Sequence, residues 1–277
     1  VGLRSERGPI LGSVMVSTAI VAIDATVIST AVPAIVTDLG GFSLFPWLFS
    51  IYLLVQAVTT PIMGRLSDQF GRKPIMLFGV TIFVLGSLGA ALSPSMIVLI
   101  AFRGLQGVGA GCIQPMTMTI IGDIYTLQER ARIQGYVASM WAMGAIAGPL
   151  IGGLFVAFLN WRWIFWINLP IGLFAAWLMI RHFAEKKQVR EERQIDYLGA
   201  FLMTIGFTLL ILGLLQGGVA WSWTSGWSLL VFGVSLACLV AFFISQKYVA
   251  DPMLPTWLYK SRVLNAGNLI GFCVGAM

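Results

Sequence analysis

Two ionisable residues, Asp24 and Arg103, lie inside long apolar stretches of a chain that is poor in charge. A charge at membrane depth is costly, so each of these residues is a candidate for function. Both lie roughly 10–12 Å from the same end of their stretches at 1.5 Å per residue, a depth that allows them to pair. A carboxylate in an apolar cavity can attract a lipophilic cation when it is ionised and release it when it is protonated. We therefore expect the pair to face a common cavity.

The stretch that contains Arg103 carries small and polar residues on one helical face, because their offsets from Arg103 are 3, 4, 7 and 11. These residues are Gln106, Gly107, Ala110 and Gln114. Such a face can line a water-filled cavity. It can also pack tightly, with the glycines allowing close approach and the glutamines bonding to other helices. Gln56, in the second stretch, is open to the same two interpretations.

The segment GRLSDQFGRKP, from Gly64 to Pro74, concentrates charge between two apolar stretches. Its cations are of the kind that anchors cytoplasmic loops of membrane proteins. That role does not explain Asp68, which we expect at a helix amino terminus, where the helix dipole favours an anion. Arg72 is then expected to pair with Asp123, and this contact would favour one conformational state.

The segment GAIAGPLIGG spaces three glycines four residues apart, with a proline and a fourth glycine beside them. These residues are Gly144, Gly148, Pro149, Gly152 and Gly153. The spacing predicts close contact between two helices, and the proline can bend its helix. Tight packing with no further role is the alternative.

The composition predicts that a bilayer surrounds the elements that hold these residues. The chain of 277 residues is 58% hydrophobic and 10% charged, with a mean hydropathy of +0.90, whereas soluble domains have roughly 25% charged residues. Continuous apolar runs of this length indicate helices, so we predict an all-α integral membrane protein. The predicted spans are 10–32, 44–64, 75–93, 97–120, 132–157, 163–181, 197–216 and 226–245, with a ninth beginning near Val263.

The positive charges predict the orientation of the chain. With the amino terminus inside, all of the 17 Lys and Arg residues except Arg103 and Arg162 fall on the inside. The net charge of +6 is therefore a topology signal, and we expect no nucleic-acid partner.

The cysteines lie in spans without neighbouring ligand residues, so we expect no metal site. No nucleotide-binding motif and no Ser/His/Asp set is found, which argues against an enzyme or receptor, and no cofactor is expected.

Four motifs together resemble the major facilitator superfamily, and specifically its fourteen-helix drug:proton antiporter group. The resemblance covers essentially the whole chain. GRLSDQFGRKP is similar to the superfamily's helix 2–3 loop signature, and GAIAGPLIGG to the helix 5 antiporter signature. RGLQGVGAG, from Arg103 to Gly111, is similar to the helix 4 signature. IDATVISTAVP, from Ile23 to Pro33, resembles the helix 1 signature of the fourteen-helix group.

This resemblance implies roles for the motif residues. The residues matching Gly64, Asp68, Arg72 and Asp123 belong to a charge relay that stabilises the outward-facing state. The resemblance associates Arg103 with proton coupling and Asp24 with proton or substrate binding, and it assigns the helix 5 residues to bending and sealing. The implied domains are a six-helix bundle (1–181), a cytoplasmic linker (182–196), an inserted helix pair (197–245), and a cytoplasmic loop with the start of a truncated carboxyl-terminal bundle (246–277).

The expected function is proton-coupled export of hydrophobic or cationic compounds by alternating access, driven by the proton gradient. A superfamily symporter, or an exporter of a lipid or metabolite, is the alternative. The expected partners are the small substrate, protons and the lipid bilayer, and we expect a monomer. The expected location is a bacterial cytoplasmic membrane, with the amino terminus inside. Because the chain begins at Val1 and ends in an apolar run, we expect it to be a fragment that does not transport alone.

Overall fold

The computed structural model describes residues 7–185, 196–218, 221–249, 252, 265–267 and 269. The chain divides into two compact units, Val1–Arg190 and Glu191–Met277. The first unit contains α1 (Gly8–Leu39), α2 (Trp47–Phe70), α3 (Arg72–Ala91), α4 (Met96–Ile124), α5 (Leu127–Phe158), α6 (Trp163–Trp166) and α7 (Asn168–His182). The second unit contains α8 (Tyr197–Gln216) and α9 (Gly226–Ser245).

Within the described residues, eight segments are long and apolar enough to span a membrane, with α6 and α7 together forming the sixth. The prediction of an all-α protein with eight complete spans is confirmed. The predicted bounds of α8 and α9 agree with the structure, whereas α1 continues from residue 32 to Leu39. Helices of the first unit extend past their apolar cores, and hydropathy does not detect those extensions. The predicted ninth span lies outside the described residues, except for 265–267 and 269, which are helical.

In the first unit, α1 packs against α5 and α7, while α4 packs against α2 and α3. Two hydrophobic clusters form the core. One is centred on residues such as Phe83, Ile113 and Met116, and the other on residues such as Ile28 and Leu99. Along α1, α3 and α4 the two clusters occupy different stretches, and buried polar residues lie between them.

Three basic residues lie at one end of the first unit and bind carbonyl groups near helix carboxyl termini. Arg7 donates to the carbonyl of Ile124 at 2.9 Å, and Arg130 donates to that of Tyr125 at 3.0 Å. Lys73 donates to the carbonyl of Phe183 at 2.6 Å. Cations at this end of a helix are favoured by its dipole. These cations therefore stabilise the bundle in addition to any role in orientation.

The opposite end of the first unit is held by Arg162. Its guanidinium pairs with Asp38 at 2.6 Å and donates to the carbonyl of Ser93 at 3.2 Å. The indole of Trp161 donates to the same Asp38 carboxylate at 3.0 Å. These contacts join the end of α1 to the segments around α3 and α6.

The second unit is a packed helix pair. Asp196 caps α8 by accepting from the backbone N–H of Gly199 at 2.7 Å. The same carboxylate accepts from the amide of Gln246 at 2.5 Å, beyond the end of α9. The Ser235 hydroxyl donates to the carbonyl of Gly206 at 2.8 Å. Polar groups thus fix the register of two otherwise apolar helices.

Candidate functional site

Five polar side chains from four helices meet inside the first unit and form what we call the buried polar cluster. Its members are Asp24 of α1, Ser87 of α3, Arg103 and Gln106 of α4, and Asn168 of α7. Each is at most 1% exposed. Buried charges are tolerated only when they are paired and hydrogen-bonded, and this cluster meets both conditions.

The carboxylate of Asp24 accepts hydrogen bonds from three side chains. One oxygen is bound by the guanidinium of Arg103. The other accepts from the amide of Gln106 at 3.0 Å and from that of Asn168 at 2.9 Å. Every one of these partners presents an N–H group to a carboxylate oxygen. The expected pairing of Asp24 with Arg103 is therefore present in the structure.

Arg103 has partners beyond Asp24. Its Nε–H donates to the carbonyl of Leu48 at 3.1 Å, and its Nη1 donates to the Gln106 side-chain oxygen at 2.9 Å. The guanidinium also lies over the ring of Tyr52, 4.3 Å from the ring centre. The Tyr52 hydroxyl is buried and has no hydrogen-bond partner among the described residues. Arg103 thus connects α1, α2 and α4.

In this conformation Asp24 and Arg103 are buried among their own hydrogen-bond partners, and the expectation that they face a common cavity stays a prediction. Gly107 and Gly111 pack tightly on α2: a Cβ atom at Gly107 would lie 2.6 Å from the carbonyl oxygen of Tyr52. The part of the α4 face that contains Gly107 and Gly111 therefore matches the packing interpretation.

Two other residues expected to line the cavity, Gln56 and Gln114, are only partly buried. Gln114 lines a small pocket between α1, α4 and α5, together with Thr18, Val21, Thr117, Trp141 and three further residues. Gln56 is not among the residues that line this pocket. None of the five cluster residues lines this pocket, and Gln114 is the predicted cavity residue that does.

The segment Gly64 to Pro74 is almost entirely helical, so its interpretation as a loop was wrong. Helix α2 runs to Phe70 and α3 begins at Arg72, which leaves only Gly71 between them. Gly71 has φ +97°, a backbone conformation that favours glycine. Charged residues continue α2 beyond its apolar core, where hydropathy suggests a loop.

Arg72 is the centre of the predicted charge relay. Its guanidinium pairs with Asp68 at 3.2 Å and with Asp123 of α4 at 3.1 Å. Gly64 faces α4 near Pro115. The structure therefore brings all four of these predicted residues to the contact region between α2, α3 and α4.

The carboxylate at the start of α3 belongs to Glu185 rather than to the expected Asp68. Glu185 accepts from the backbone N–H groups of Arg72 at 2.6 Å and of Lys73 at 3.3 Å. Asp68 lies within the last turns of α2 instead. Glu185 follows the sixth span in a segment of mixed charge, where sequence periodicity gives no signal.

The glycines of GAIAGPLIGG form a contact between α5 and α1. Gly144, Gly148 and Gly152 are buried, and a Cβ atom on Gly144 would lie 2.7 Å from that of Ala22. Gly153 has no such neighbour within 4 Å. Pro149 lies inside α5, which continues as one helix from Leu127 to Phe158.

Three residues at the buried polar cluster were missed from the sequence: Tyr52, Ser87 and Asn168. Asn168 had a usable signal, because an amide inside a predicted span meets the criterion that selected Asp24. Ser87 and Tyr52 had none, since hydroxyl groups are common in membrane helices.

Comparison with known proteins gives consistent matches. Residues 14–277 match the family model described as Major Facilitator Superfamily. The chain is 38% identical over 271 residues to Multidrug transporter protein MdtP of Bacillus subtilis (strain 168), which covers 98% of this chain and 50% of that protein. It is 33% identical over 254 residues to Multidrug resistance protein 3 of the same organism, covering 92% of this chain and 49% of that protein. Thus the chain spans about half the length of the curated relatives it matches.

A fungal protein and a solved structure are also similar. Efflux pump dotC of Dothistroma septosporum (strain NZE10 / CBS 128990) is 36% identical over 258 residues, covering 90% of this chain and 44% of that protein. The crystal structure of the human organic anion transporter MFSD10 (TETRAN) matches with a TM-score of 0.61 and 17% identity, covering 74% of this chain and 55% of that chain. At that identity the structural match concerns the fold alone.

Proposed function

Because this chain belongs to the Major Facilitator Superfamily, we propose that it works in proton-coupled export of hydrophobic or cationic small molecules. The superfamily places it among transporters rather than enzymes. Three relatives that are 33–38% identical are named as a multidrug transporter, a multidrug resistance protein and an efflux pump. These names support export of small molecules, and the coupling to protons is inferred from the buried polar cluster.

The observation that carries the proposal is the wholly buried pair of Asp24 and Arg103. Protonation of Asp24 would remove the negative charge and leave the guanidinium of Arg103 buried without compensation. An uncompensated buried charge is unfavourable by several kcal/mol, about 3–5 when one partner of a pair is removed. Proton binding at Asp24 must therefore be accompanied by a structural change or by arrival of another charged group. Such linkage is what proton-coupled transport requires.

We infer from the burial of Asp24 that a conformational change precedes substrate binding. Asp24 is fully buried here, so a substrate reaches it only after the helices around it separate. The pocket that contains Gln114 lies between α1, α4 and α5, and one of its lining residues, Val21, is three positions before Asp24 on α1. We assign the substrate's approach to this side. A lipophilic cation that reaches ionised Asp24 competes with the proton for the same charge.

The charge relay around Arg72 supplies the conformational part of the proposal. Arg72 connects the junction of α2 and α3 to Asp123 of α4, and alternating access requires contacts that exist in one state only. We place this end of the unit on the cytoplasmic side of a bacterial cytoplasmic membrane, because the basic residues Arg7, Lys73 and Arg130 gather there. The glycine contact of α5 with α1 keeps these two helices close during the movement.

The proposal is tested by reconstituting the complete protein in liposomes and measuring uptake of tetraphenylphosphonium driven by an imposed pH gradient. Native protein is expected to accumulate the cation, and Asp24→Asn is expected to abolish the gradient-driven part. Asp38→Asn is the matched control, since it makes the same substitution in the same helix at a partly exposed ion pair. Equal accumulation by native and Asp24→Asn proteins would refute the proposal.

A further inference from the structure

We propose that Glu185 is a positioning residue for Arg72: its carboxylate fixes the first turn of α3, and with it the point from which the Arg72 side chain reaches α4. This inference rests on the proposed part of Arg72 in alternating access. Glu185 lies outside the four motifs found in the sequence and follows the last residue of α7, His182, by three positions.

Glu185 binds the free backbone donors at the start of α3. A helix leaves the N–H groups of its cap residue and of its first three residues without a partner inside the helix. In α3 the N–H of the cap residue, Gly71, donates to a carbonyl of α2 at 3.0 Å, and Pro74 has no N–H group. The two remaining donors belong to Arg72 and Lys73, and Glu185 accepts from them at 2.6 and 3.3 Å. One side chain therefore completes the hydrogen bonding of this helix end.

Helix α3 supplies no such acceptor of its own. Its cap residue Gly71 has no side chain, and its first turn contains no acidic residue. The helix dipole favours a carboxylate at this end, and here the carboxylate comes from the segment that follows α7. The approach is close, since a Cβ atom on Gly71 would lie 2.6 Å from Oε2 of Glu185. Glycine at position 71 therefore makes room for the carboxylate as well as forming the turn.

Lys73 ties the same two helices in the opposite direction. Its side-chain nitrogen donates to the carbonyls of Ile180 at 3.0 Å and of Phe183 at 2.6 Å, at the carboxyl terminus of α7. The helix dipole favours a cation there. We call the contacts of Glu185 and Lys73 together the α3–α7 clasp. Because α3 packs against α7, the clasp fixes the end of α3 to a neighbour that is outside the charge relay.

Arg72 belongs to both the clasp and the charge relay. Its backbone N–H is bound by Glu185, and its guanidinium pairs with Asp68 and Asp123. The side chains of these two acids are 36% and 38% exposed, and exposed ion pairs are weak because ordering long side chains costs conformational entropy. Weak pairs of this kind depend on a backbone that is already in place. The clasp therefore keeps Arg72 within reach of Asp123.

The test compares Glu185 variants of the complete protein in liposomes, with gradient-driven uptake of tetraphenylphosphonium as the transport readout. Glu185→Ala removes both acceptor oxygens, and the maximal rate is expected to fall about three- to tenfold, the factor that corresponds to the loss of one hydrogen bond. Glu185→Gln keeps one acceptor oxygen and should recover part of the rate. The cation concentration for half-maximal uptake should not change, because Glu185 does not line the pocket that contains Gln114. A change in that concentration at an unchanged maximal rate would contradict the inference.

Action through Arg72 is tested in the Asp123→Asn background, which lacks the relay contact on α4. Glu185→Ala should slow the Asp123→Asn protein much less than it slows the native protein, because the contact that Arg72 makes is already lost. Equal slowing in both backgrounds would mean that Glu185 acts independently of Arg72, and the positioning role would be wrong.

Glu129→Ala is the matched control. Glu129 also accepts from a backbone N–H at a helix start, that of Thr126 at 2.9 Å, and it lies near Arg7 at the same end of the unit. The substitution is the same and leaves Arg72 with all of its contacts. We expect Glu129→Ala to transport at the native rate once rates are corrected for the amount of folded protein.

Hydrogen exchange in detergent separates this inference from the proposed function. Glu185→Ala should speed exchange of the Arg72 and Lys73 N–H groups, whereas Glu129→Ala should not. Unchanged exchange at these two groups would overturn the inference whether or not the native protein transports. Absence of gradient-driven uptake by native protein would instead refute the proposed export. If Glu185→Ala does not fold, Glu185→Gln is measured in its place, with a smaller change in the same direction expected.

Discussion

Replacing Arg103 with methionine removes the positive charge that faces Asp24 while keeping most of the apolar length of the side chain. Asp24 is then left fully buried with only the neutral donors Gln106 and Asn168. Removing one partner of a buried ion pair costs about 3–5 kcal/mol. The carbonyl of Leu48 also loses its donor. We therefore expect Arg103→Met to lower the free energy of unfolding by about 3–5 kcal/mol.

The double variant separates the charge effect from the loss of packing. Asp24→Asn alone leaves Arg103 uncompensated, so it is also expected to be destabilising. Combining Asp24→Asn with Arg103→Met removes both charges, and replacement of an entire buried pair is often close to neutral. The double variant should therefore lose less stability than either single variant. The resulting interaction energy is expected to be about 3 kcal/mol or more.

The assay is a reversible unfolding titration with sodium dodecyl sulfate in mixed micelles, on native protein and the three variants. Asp38 and Arg162 provide the control cycle, because their side chains are 47% and 28% exposed and such pairs are worth about 0–1 kcal/mol. Additive losses in the Asp24 and Arg103 cycle would refute the idea that the two charges compensate each other.

Three further outcomes follow from the packing and pairing of the first unit. Gly148→Ala should cost about 1–3 kcal/mol of unfolding free energy, because a Cβ there would overlap the Thr26 hydroxyl and lie 2.9 Å from the Thr26 Cβ; Gly153→Ala, with nothing within 4 Å, should not. Tyr52→Phe removes an unpartnered buried hydroxyl and should leave stability unchanged or higher in the same titration; a clear loss would indicate a hidden partner. Asp123→Asn breaks a partly exposed pair with Arg72, so it should change stability by less than about 1 kcal/mol while slowing liposome transport; an unchanged rate would argue against the relay.

Hydropathy was sufficient to predict the spans, since each must present about 20 apolar residues to lipid. The bounds of α8 and α9 agree because Asp196 and Ser225 cap the two helices directly before their apolar runs begin. The helix between Gly64 and Phe70 was missed because Arg65 and Asp68 interrupt the apolar run, while α2 continues to Phe70.

The pairing of Asp24 with Arg103 could be predicted because each charge is isolated in an apolar helix and needs a partner. The complete hydrogen-bond network around this pair could not be predicted. It includes Asn168 and Ser87, which come from helices distant in sequence. The position of Glu185 at the start of α3 could not be predicted either, because a glutamate in a charged segment can lie in many surroundings besides a helix amino terminus.

The central claim is that a substrate and a proton exchange at Asp24. Its most direct test is proton release from the complete purified protein in detergent when tetraphenylphosphonium is added, with Asp24→Asn measured in parallel. We expect release from native protein and none from the variant. Demonstrated binding of the cation to native protein without any proton release would contradict the exchange.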